Sequence, residues 1–352
     1  MSKNSSIAIV AGVAIAVAII ASVMAFSGVS DNSMPMDTPE VDQTNLVSQE
    51  EKLTVLTSFY PYHEFTKNVA GDFAEVKQFM PSGVEAHDWE PRAQEIQSLN
   101  DADVFVYNGL GMEPYVENII GSGEFDNVLF VKASEGVELL KFEDDHDDHD
   151  EHAKEDEHDE HDEHAKEDGH DGHDHDYEFD PHIWLDPLLV KQQVNVIRDG
   201  LIQADPQNKE HYEENARIYN NKMDALDMKI ESSLSSCQKD TIVPFHNAFT
   251  YLGERYDIHV MALSGMTPDS EASAAEIAEF VDFVKDNDIK VIFSEELVDP
   301  RLAEVIAEET NAQVMLFSPL EALTPDEIGT NISYIDKMEQ NLDSLVVALE
   351  CQ

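Results

Sequence analysis

The amino-acid sequence predicts an α/β protein of two similar lobes with mainly parallel sheets, joined by a long rigid helix. Apolar strand-like runs alternate with helical patterns along most of the chain, at the spacing of parallel βα units. The order of these elements in residues 52–186 recurs in residues 237–352. Between them lies a helical stretch of about thirty residues, long enough to connect two lobes.

The N-terminal lobe, residues 52–186, is predicted to contain four strands. KLTVLTSFYPYHEFTKNVAG is a strand, a turn and a helix, and FAEVKQFMPSG is a second strand that ends in turn residues. PRAQEIQSLNDAD is a helix with proline at a favourable first position. VFVYNGLG is a strand that stops at glycines, MEPYVENIIGS a further helix, and FDNVLFVKAS the last strand.

Residues 187–236 are predicted to form a helical linker, whose second helix has apolar side chains at helical spacing. The C-terminal lobe, residues 237–352, then repeats the first plan. DTIVPFHNAFTYLGERYDIHVMAL is strand, helix and strand, and NDIKVIFSEELVDPRLAEVIAEET is strand and helix. AQVMLFSPL is the last strand and NISYIDKMEQNLDSLVVAL the closing helix. Two such lobes enclose a cleft, and ligands of open parallel sheets bind beyond the carboxyl ends of the strands.

The N-terminus predicts export. Residues 1–27 contain a nearly uninterrupted apolar run of about one membrane-spanning length, and residues 28–51 read as a flexible polar linker. The run is a signal peptide or a membrane anchor, and its length favours the anchor. We expect the rest of the chain to lie outside the cytoplasm, attached to the membrane by this segment or secreted after its cleavage.

The formal net charge of −53 is extreme. It argues against a nucleic-acid partner and favours cations, although adaptation to salty surroundings explains it equally well. Part of the charge lies in an acidic, histidine-rich loop, residues 143–177, whose composition predicts disorder. We expect this loop to offer several weak accessory metal sites, with a solvated spacer of no function as the alternative. Its histidines are His146, His149, His152, His158, His161, His164, His170, His173 and His175.

Three histidines outside the loop predict a specific metal site. His87 follows a strand and precedes a helix, His182 is flanked by prolines in DPHIWLDP, and His246 ends the strand TIVPF. Singly, each is more often a structural residue, but together they lie at strand ends facing one cleft. Three neutral imidazoles suit Zn²⁺. Glu321, directly after the last strand, is the best candidate for a fourth ligand, with Glu295 and Glu296 as alternatives.

The remaining histidines and the two tryptophans have plainer interpretations. His63 is expected to be a structural neighbour of the cleft, His211 to lie on the solvated face of the long helix, and His259 to lie within or before a strand. Trp89 and Trp184, each two positions after a candidate ligand, are expected to form apolar wall.

Cys237 and Cys351 are the only cysteines, and in an oxidising compartment they could form one disulfide between the helical region and the C-terminus. Two unpaired thiols remain the alternative, since sequence does not show their separation. The sequon at Asn331 permits glycosylation without establishing it.

At these residues the sequence resembles the zinc- and manganese-binding solute receptors of ABC uptake transporters, in particular their zinc branch. The resemblance spans roughly Lys52 to Leu349 and rests on PSGVEAHDWEP, NDADVFVYNGLGMEPYV, DPHIWLDP, FHNAFTYLGERYDI and SPLEALTPDEIGTNISYIDKMEQNL. It implies two α/β lobes with the metal between them and histidine ligands at His87, His182 and His246. A histidine at the third position favours zinc over manganese. The fourth family position, often aspartate, falls on Glu321. This difference leaves open whether Glu321 binds the metal directly, binds it through water or leaves the site to the three histidines.

The expected function is therefore a high-affinity zinc receptor outside the cytoplasm that delivers Zn²⁺ to an ABC permease, without covalent chemistry. A metal-buffering or adhesion protein of the same fold is the alternative. A zinc hydrolase is a more remote alternative. Three histidines would allow an activated water at the metal. However, the sequence has no HExxH motif and no convincing general base paired to a nucleophile.

Overall fold

The computed structural model describes residues 52–141, 178–265, 267–268 and 272–352. The predicted anchor or signal peptide, the linker that follows it and the histidine-rich loop with its nine accessory histidines lie outside the described residues. Among the helices of the described part, none has the length and apolar character needed to cross a bilayer.

The elements alternate as the sequence predicts. The strands are β1 (Leu53–Thr57), β2 (Ala74–Gln78), β3 (Val104–Tyr107), β4 (Leu129–Lys132), β5 (Thr241–Ile242), β6 (His259–Val260), β7 (Val291–Ser294) and β8 (Gln313–Leu316). The helices are α1 (Tyr60–Ala70), α2 (Ala93–Ser98), α3 (Pro114–Ser122), α4 (Pro187–Ala204), α5 (Lys209–Leu234), α6 (Thr250–Tyr256), α7 (Ala274–Asp286), α8 (Arg301–Thr310) and α9 (Tyr334–Ala348).

The first sheet is parallel throughout, with strand order β2-β1-β3-β4. Its central strands β1 and β3 are largely buried on both faces, as strands of parallel sheets usually are, whereas the edge strand β2 is partly exposed. Val55 and Val104 pack with the apolar sides of α1 and α4, whereas Leu56 and Phe105 pack with α3. The alternation of neighbouring residues between the two faces follows from the two-residue period of a strand.

The second sheet repeats the first. β5 pairs with β6 and β7 pairs with β8, both in parallel. The amide of Phe293 in β7 donates to the carbonyl of Val243, just after β5, at 3.1 Å. This bond places β7 beside β5, so the order is β6-β5-β7-β8, the same as in the first sheet. The predicted fold class, two similar lobes with mainly parallel sheets and a long helix, is confirmed.

Helix α5 is the long helix, with 26 residues. At the α-helical rise it is about 39 Å long. Its buried face carries the apolar residues that the sequence spacing predicts. The helix packs against α1 of the first lobe, α4 of the helical linker and α9 of the second lobe. The residues of the buried face are Tyr212, Ala216, Tyr219, Met223, Leu226 and Ile230.

A disulfide closes the second lobe. Cys237, shortly after α5, is bonded to Cys351, next to the C-terminal residue. The amides of Gln238 and Lys239 both donate to the carbonyl of Leu349, at 3.0 and 3.1 Å, so the two segments are also joined by backbone. The sequence left open whether Cys237 and Cys351 form a disulfide or remain unpaired thiols, and in the structure they form the disulfide.

Candidate metal centre

Four buried side chains from both lobes converge in the cleft, and we call them the cleft cluster: His87, His182, His246 and Glu321. Each offers one ligand atom, and these atoms all lie within 4.8 Å of one another. The Nε2 atoms of His87 and His182 are 3.3 Å apart. Glu321 Oε1 lies 3.3, 3.6 and 3.8 Å from Nε2 of His87, His182 and His246. The sequence predicted these four residues for one site, and the fold brings them together.

His87 lies in the loop between β2 and α2. The carboxylate of Glu85 holds this loop, because it accepts the backbone N–H of His87 at 3.0 Å and that of Asp88 at 3.1 Å. The His87 side chain is fully buried, so the loop brings an imidazole that is shielded from solvent into the cleft.

His182 is held from two sides. Asp180 Oδ1 accepts the backbone N–H of His182 at 2.9 Å and pairs with its Nδ1 at 2.8 Å. The side-chain amide of Asn108, at the end of β3, donates to the carbonyl of Pro181 at 3.0 Å. A carboxylate on Nδ1 keeps a proton there and fixes the ring so that Nε2 faces the cleft.

His246 follows β5 and has the same arrangement. Its Nδ1 pairs with Glu295 Oε1 at 2.6 Å, and Glu295 itself follows β7. The Nε2 atom of His246 is buried and has no hydrogen-bond partner among the residues that the structure describes. An unpartnered buried nitrogen costs free energy unless a ligand satisfies it. This nitrogen points to a ligand in the cluster.

Glu321 follows β8 in a segment with unusual backbone. Leu320, the preceding residue, has a φ of 60°, a left-handed conformation that a leucine rarely adopts. The Ser318 hydroxyl accepts the N–H of Leu320 at 3.1 Å and supports the turn. The segment therefore holds the Glu321 carboxylate inward, where it is only 5 % exposed.

The electrostatics of the cleft cluster favour a cation. Burial lowers the pKa of His87, with the Glu321 carboxylate acting against it. For His182, burial also acts to lower the pKa, but the carboxylates of Asp180 and Glu321 outweigh it and raise the pKa to about 9. Burial acts to raise the pKa of Glu321, yet the three imidazoles hold it well below its usual range. A carboxylate that stays ionised among imidazoles suits a divalent metal.

The other predicted candidates lie elsewhere. Glu295 contacts the far side of His246, and Glu296 pairs with Lys337 at 2.7 Å, so neither is part of the cleft cluster. His63 lies on α1, where burial and Lys67 lower its pKa to about 4. His259 lies in β6 as the sequence suggested. His211 is exposed on α5 and stacks on Phe73, with ring centroids 4.0 Å apart.

The two tryptophans line different regions. Trp184 is fully buried 5.1 Å from the His182 ring, and its indole N–H donates to the carbonyl of Pro319 at 2.7 Å. This bond joins the segments of two cluster residues across the cleft. Trp89 is half-buried and packs edge-on against Phe79 and Tyr115 in the first lobe.

Sequence reasoning missed the residues behind the imidazoles. Asp180 could have been found, since it stands two positions before His182 in DPHIWLDP. Glu295 was noticed as a ligand alternative because it ends a strand, but its contact with His246 is made across 49 residues. A contact of that range leaves no trace in local spacing.

Comparison with known proteins agrees with this geometry. Residues 55–348 match the family model described as zinc-uptake complex component A, periplasmic. The chain is 37 % identical over 299 residues to the high-affinity zinc uptake system protein ZnuA of Bacillus subtilis, covering 85 % of this chain and 88 % of that one. It is 37 % identical over 302 residues to the zinc-binding lipoprotein AdcA of Streptococcus pneumoniae, 86 % of this chain and 57 % of that protein.

A solved structure is similar over most of the chain. The Zn(II)-bound ZnuA-like domain of Streptococcus pneumoniae AdcA superposes with a TM-score of 0.69 at 34 % identity. The match covers 85 % of this chain and 100 % of that domain. The present chain therefore corresponds in extent to the ZnuA-like part of AdcA and spans little more than half of the full-length protein.

Proposed function

We propose, on the premise that the chain belongs to the family of component A of zinc-uptake complexes, that it is a high-affinity zinc receptor outside the cytoplasm. It would deliver Zn²⁺ to the permease of an ABC transporter. The observation that carries the proposal is the cleft cluster itself, in which three imidazole nitrogens and one carboxylate oxygen face one another without solvent.

The spacing of the cluster suits a tetrahedral zinc site. With metal–ligand distances of about 2.0–2.1 Å, the corners of a tetrahedron are about 3.3 Å apart. In the cleft cluster the ligand atom of His87 lies 3.3 Å from those of His182 and Glu321, and all four ligand atoms lie within 4.8 Å of one another. Small movements of the side chains would close this difference, so the site needs little rearrangement to accept the ion.

The donor set favours zinc over manganese. Imidazole is a preferred ligand of Zn²⁺, whereas Mn²⁺ prefers carboxylate, carbonyl and water oxygens. The cleft cluster has three nitrogens and one carboxylate. The carboxylates of Asp180 and Glu295 behind two of the rings further raise the basicity of the nitrogens that face the ion.

The same donor set supports a receptor and not an enzyme. Catalytic zinc sites keep one position open for water, whereas four protein ligands complete a tetrahedron. With Glu321 in place, no position would remain for an activated water. Zn²⁺ is then the cargo, and the protein binds, shields and releases it.

The N-terminal segment, residues 1–27, would place the receptor at the membrane. As an uncleaved anchor it would keep the binding lobes beside the permease, with residues 28–51 as a tether. The extreme negative charge would attract cations to the surface before capture. Cleavage of the segment would instead give a secreted receptor.

Isothermal titration of the metal-free protein with Zn²⁺ tests the proposal. We expect one tight site that persists after deletion of residues 143–177 and disappears in the triple variant H87A/H182A/H246A. Tight binding that survives the triple substitution but is lost with the loop would show that the receptor site lies elsewhere. Hydrolysis of model esters or peptides that stops on chelation would favour the enzyme alternative.

A further inference from the structure

Helix α9 carries a buried polar face that contacts the surroundings of the cleft cluster. It consists of Tyr334, Lys337 and Asn341, at positions i, i+3 and i+7 of one helix side. All three are at most 3 % exposed. Polar groups are costly to bury without partners, and each of these three residues has hydrogen-bond partners near the cleft cluster.

Lys337 is the charged member of this face. Its Nζ donates to Glu296 Oε1 at 2.7 Å and to the two oxygens of Glu327 at 2.8 and 3.0 Å. Glu296 follows directly on Glu295, the residue that pairs with His246. Glu327 lies six positions after Glu321, in the segment that leads from β8 to α9. One buried ammonium therefore joins the two chain segments that supply Glu295 and Glu321.

Asn341 and Tyr334 anchor the other ends of the same region. The Asn341 side chain accepts the N–H of Ser318 at 2.8 Å and donates to its carbonyl at 2.7 Å. Ser318 begins the turn in which Leu320 has its left-handed backbone. The Tyr334 hydroxyl donates to the carbonyl of Trp184 at 2.7 Å, two residues after His182. A strained turn persists only where the surrounding structure stabilises it. The bonds of Asn341 to Ser318 stabilise this turn.

We propose that Lys337 is a positioning residue for zinc binding: through Glu296 it fixes Glu295 behind His246, and through Glu327 it fixes the segment that presents Glu321. The inference rests on the proposed function of the cleft cluster. Without the ammonium, the partly buried carboxylates of Glu296 and Glu327 would lose their ion pair and move toward water. The backbone at Glu295 would move with Glu296, and the His246 ring would lose its fixed orientation.

A purely structural role makes a different prediction. If Lys337 only stabilised the second lobe, its loss would lower the melting temperature of the metal-free protein and leave the zinc affinity of the folded protein unchanged. If it positions the site, the affinity of the folded protein falls as well. The variant K337M tests this because methionine keeps the apolar length of the side chain and removes the charge.

The measurement is zinc affinity by competition with a chelator, at a temperature where both proteins are folded. We expect K337M to bind zinc about ten-fold more weakly, at the lower end of the loss that outer-sphere partners of a metal site give. The matched control is K229M, which removes a lysine that pairs with Glu339 at 2.8 Å on the exposed side of α5 and α9. Its affinity should equal that of the wild type.

A double-mutant cycle shows whether the effect passes through Glu295. In the E295A background, K337M should cause a further loss of only about three-fold, because the support through Glu296 no longer matters and only that through Glu327 remains. In the D180A background, the full loss of about ten-fold should remain, because Asp180 orients His182 and Lys337 bonds to other carboxylates.

Unchanged affinity of K337M, or the same loss in both backgrounds, would overturn the proposal. If K337M does not fold, K337M/E296Q replaces it, since that variant lacks the unpaired charge beside Glu295. Failure of the wild type to bind a single zinc ion tightly would instead overturn the proposed function, so the two failures are distinguishable.

Discussion

Two imidazoles of the cleft cluster are held by carboxylates on the ring nitrogen that faces away from the cleft. Asp180 does this for His182 and Glu295 for His246. Each pair fixes both the tautomer and the ring orientation before any ion arrives. At the scale of single residues, zinc affinity therefore depends on the four ligands and on the carboxylates behind them. Substitutions of the two groups should have different effects.

Loss of a ligand should nearly abolish tight binding. We expect H246A to weaken zinc binding at least about 100-fold, because even partners that do not touch the metal usually contribute 10–100-fold. Titration of the metal-free variant measures the effect. H211A is the matched control, since His211 is exposed on α5 and outside the cleft cluster. Equal affinities of H246A and H211A would contradict the assignment of His246.

Loss of an orienting carboxylate should weaken the site without removing it. D180A and E295A should each bind one zinc ion about 10–100-fold more weakly than the wild type, because the rings keep their nitrogens but lose their orientation. Chelator competition gives the affinity, and direct titration gives the stoichiometry. A stoichiometry below one in either variant, or an unchanged affinity, would show that the carboxylate has another role.

At the scale of elements, both sheets bring the cluster to the carboxyl ends of their strands. β2 and β5 are followed by His87 and His246, and β8 is followed by Glu321. The segments after these strands converge, since the ligand atoms of the cleft cluster all lie within 4.8 Å of one another. The second sheet has shorter strands, since β5 and β6 have two residues each. The disulfide next to β5 adds a covalent bond to this lobe.

The disulfide between Cys237 and Cys351 should stabilise the second lobe without contributing to zinc binding. The double variant C237S/C351S should lose about 2–5 kcal/mol of unfolding free energy, since removing a cross-link raises the entropy of the unfolded chain. Chemical denaturation of the metal-free protein checks this. Neither cysteine is in the cleft cluster, so the zinc affinity should stay the same. A changed affinity with unchanged stability would reverse this interpretation.

At the scale of the whole molecule, the acidic histidine-rich loop, residues 143–177, is inserted in the sequence between β4 and His182. Lys141 and Phe179, on either side of the loop, form an antiparallel bridge. The residues that flank the loop therefore lie side by side. A short linker can replace residues 143–177 without straining the fold. His182 follows the loop by a few residues and is held by Asp180 and Asn108 through bonds that do not involve it.

Deletion of the loop should affect capture more than equilibrium binding. With a short glycine–serine linker in place of residues 143–177, we expect the one tight site to keep its affinity. Zinc uptake by cells at limiting zinc should slow, because the weak accessory sites no longer concentrate the ion. Growth of a deletion strain complemented with each form measures this. Equal growth at limiting zinc would favour the loop as a solvated spacer.

Much of the fold could be predicted from local pattern, because alternation and helical spacing are local properties. VFVY is buried throughout as β3, and the apolar spacing of α5 identifies its buried face. The cluster residues were predictable because each stands at a strand end or between prolines. The partners behind them were not, since Glu295 reaches His246 and Lys337 reaches Glu296 across 49 and 41 residues. Such contacts depend on the packing of α9 and the second sheet.

A crystal structure of the zinc-loaded protein, with anomalous scattering recorded at the zinc edge, tests the central claim most directly. The account predicts one strong anomalous peak in the cleft, about 2.0–2.2 Å from Nε2 of His87, His182 and His246 and from a carboxylate oxygen of Glu321. A strong peak elsewhere, with the cleft cluster empty, would contradict it.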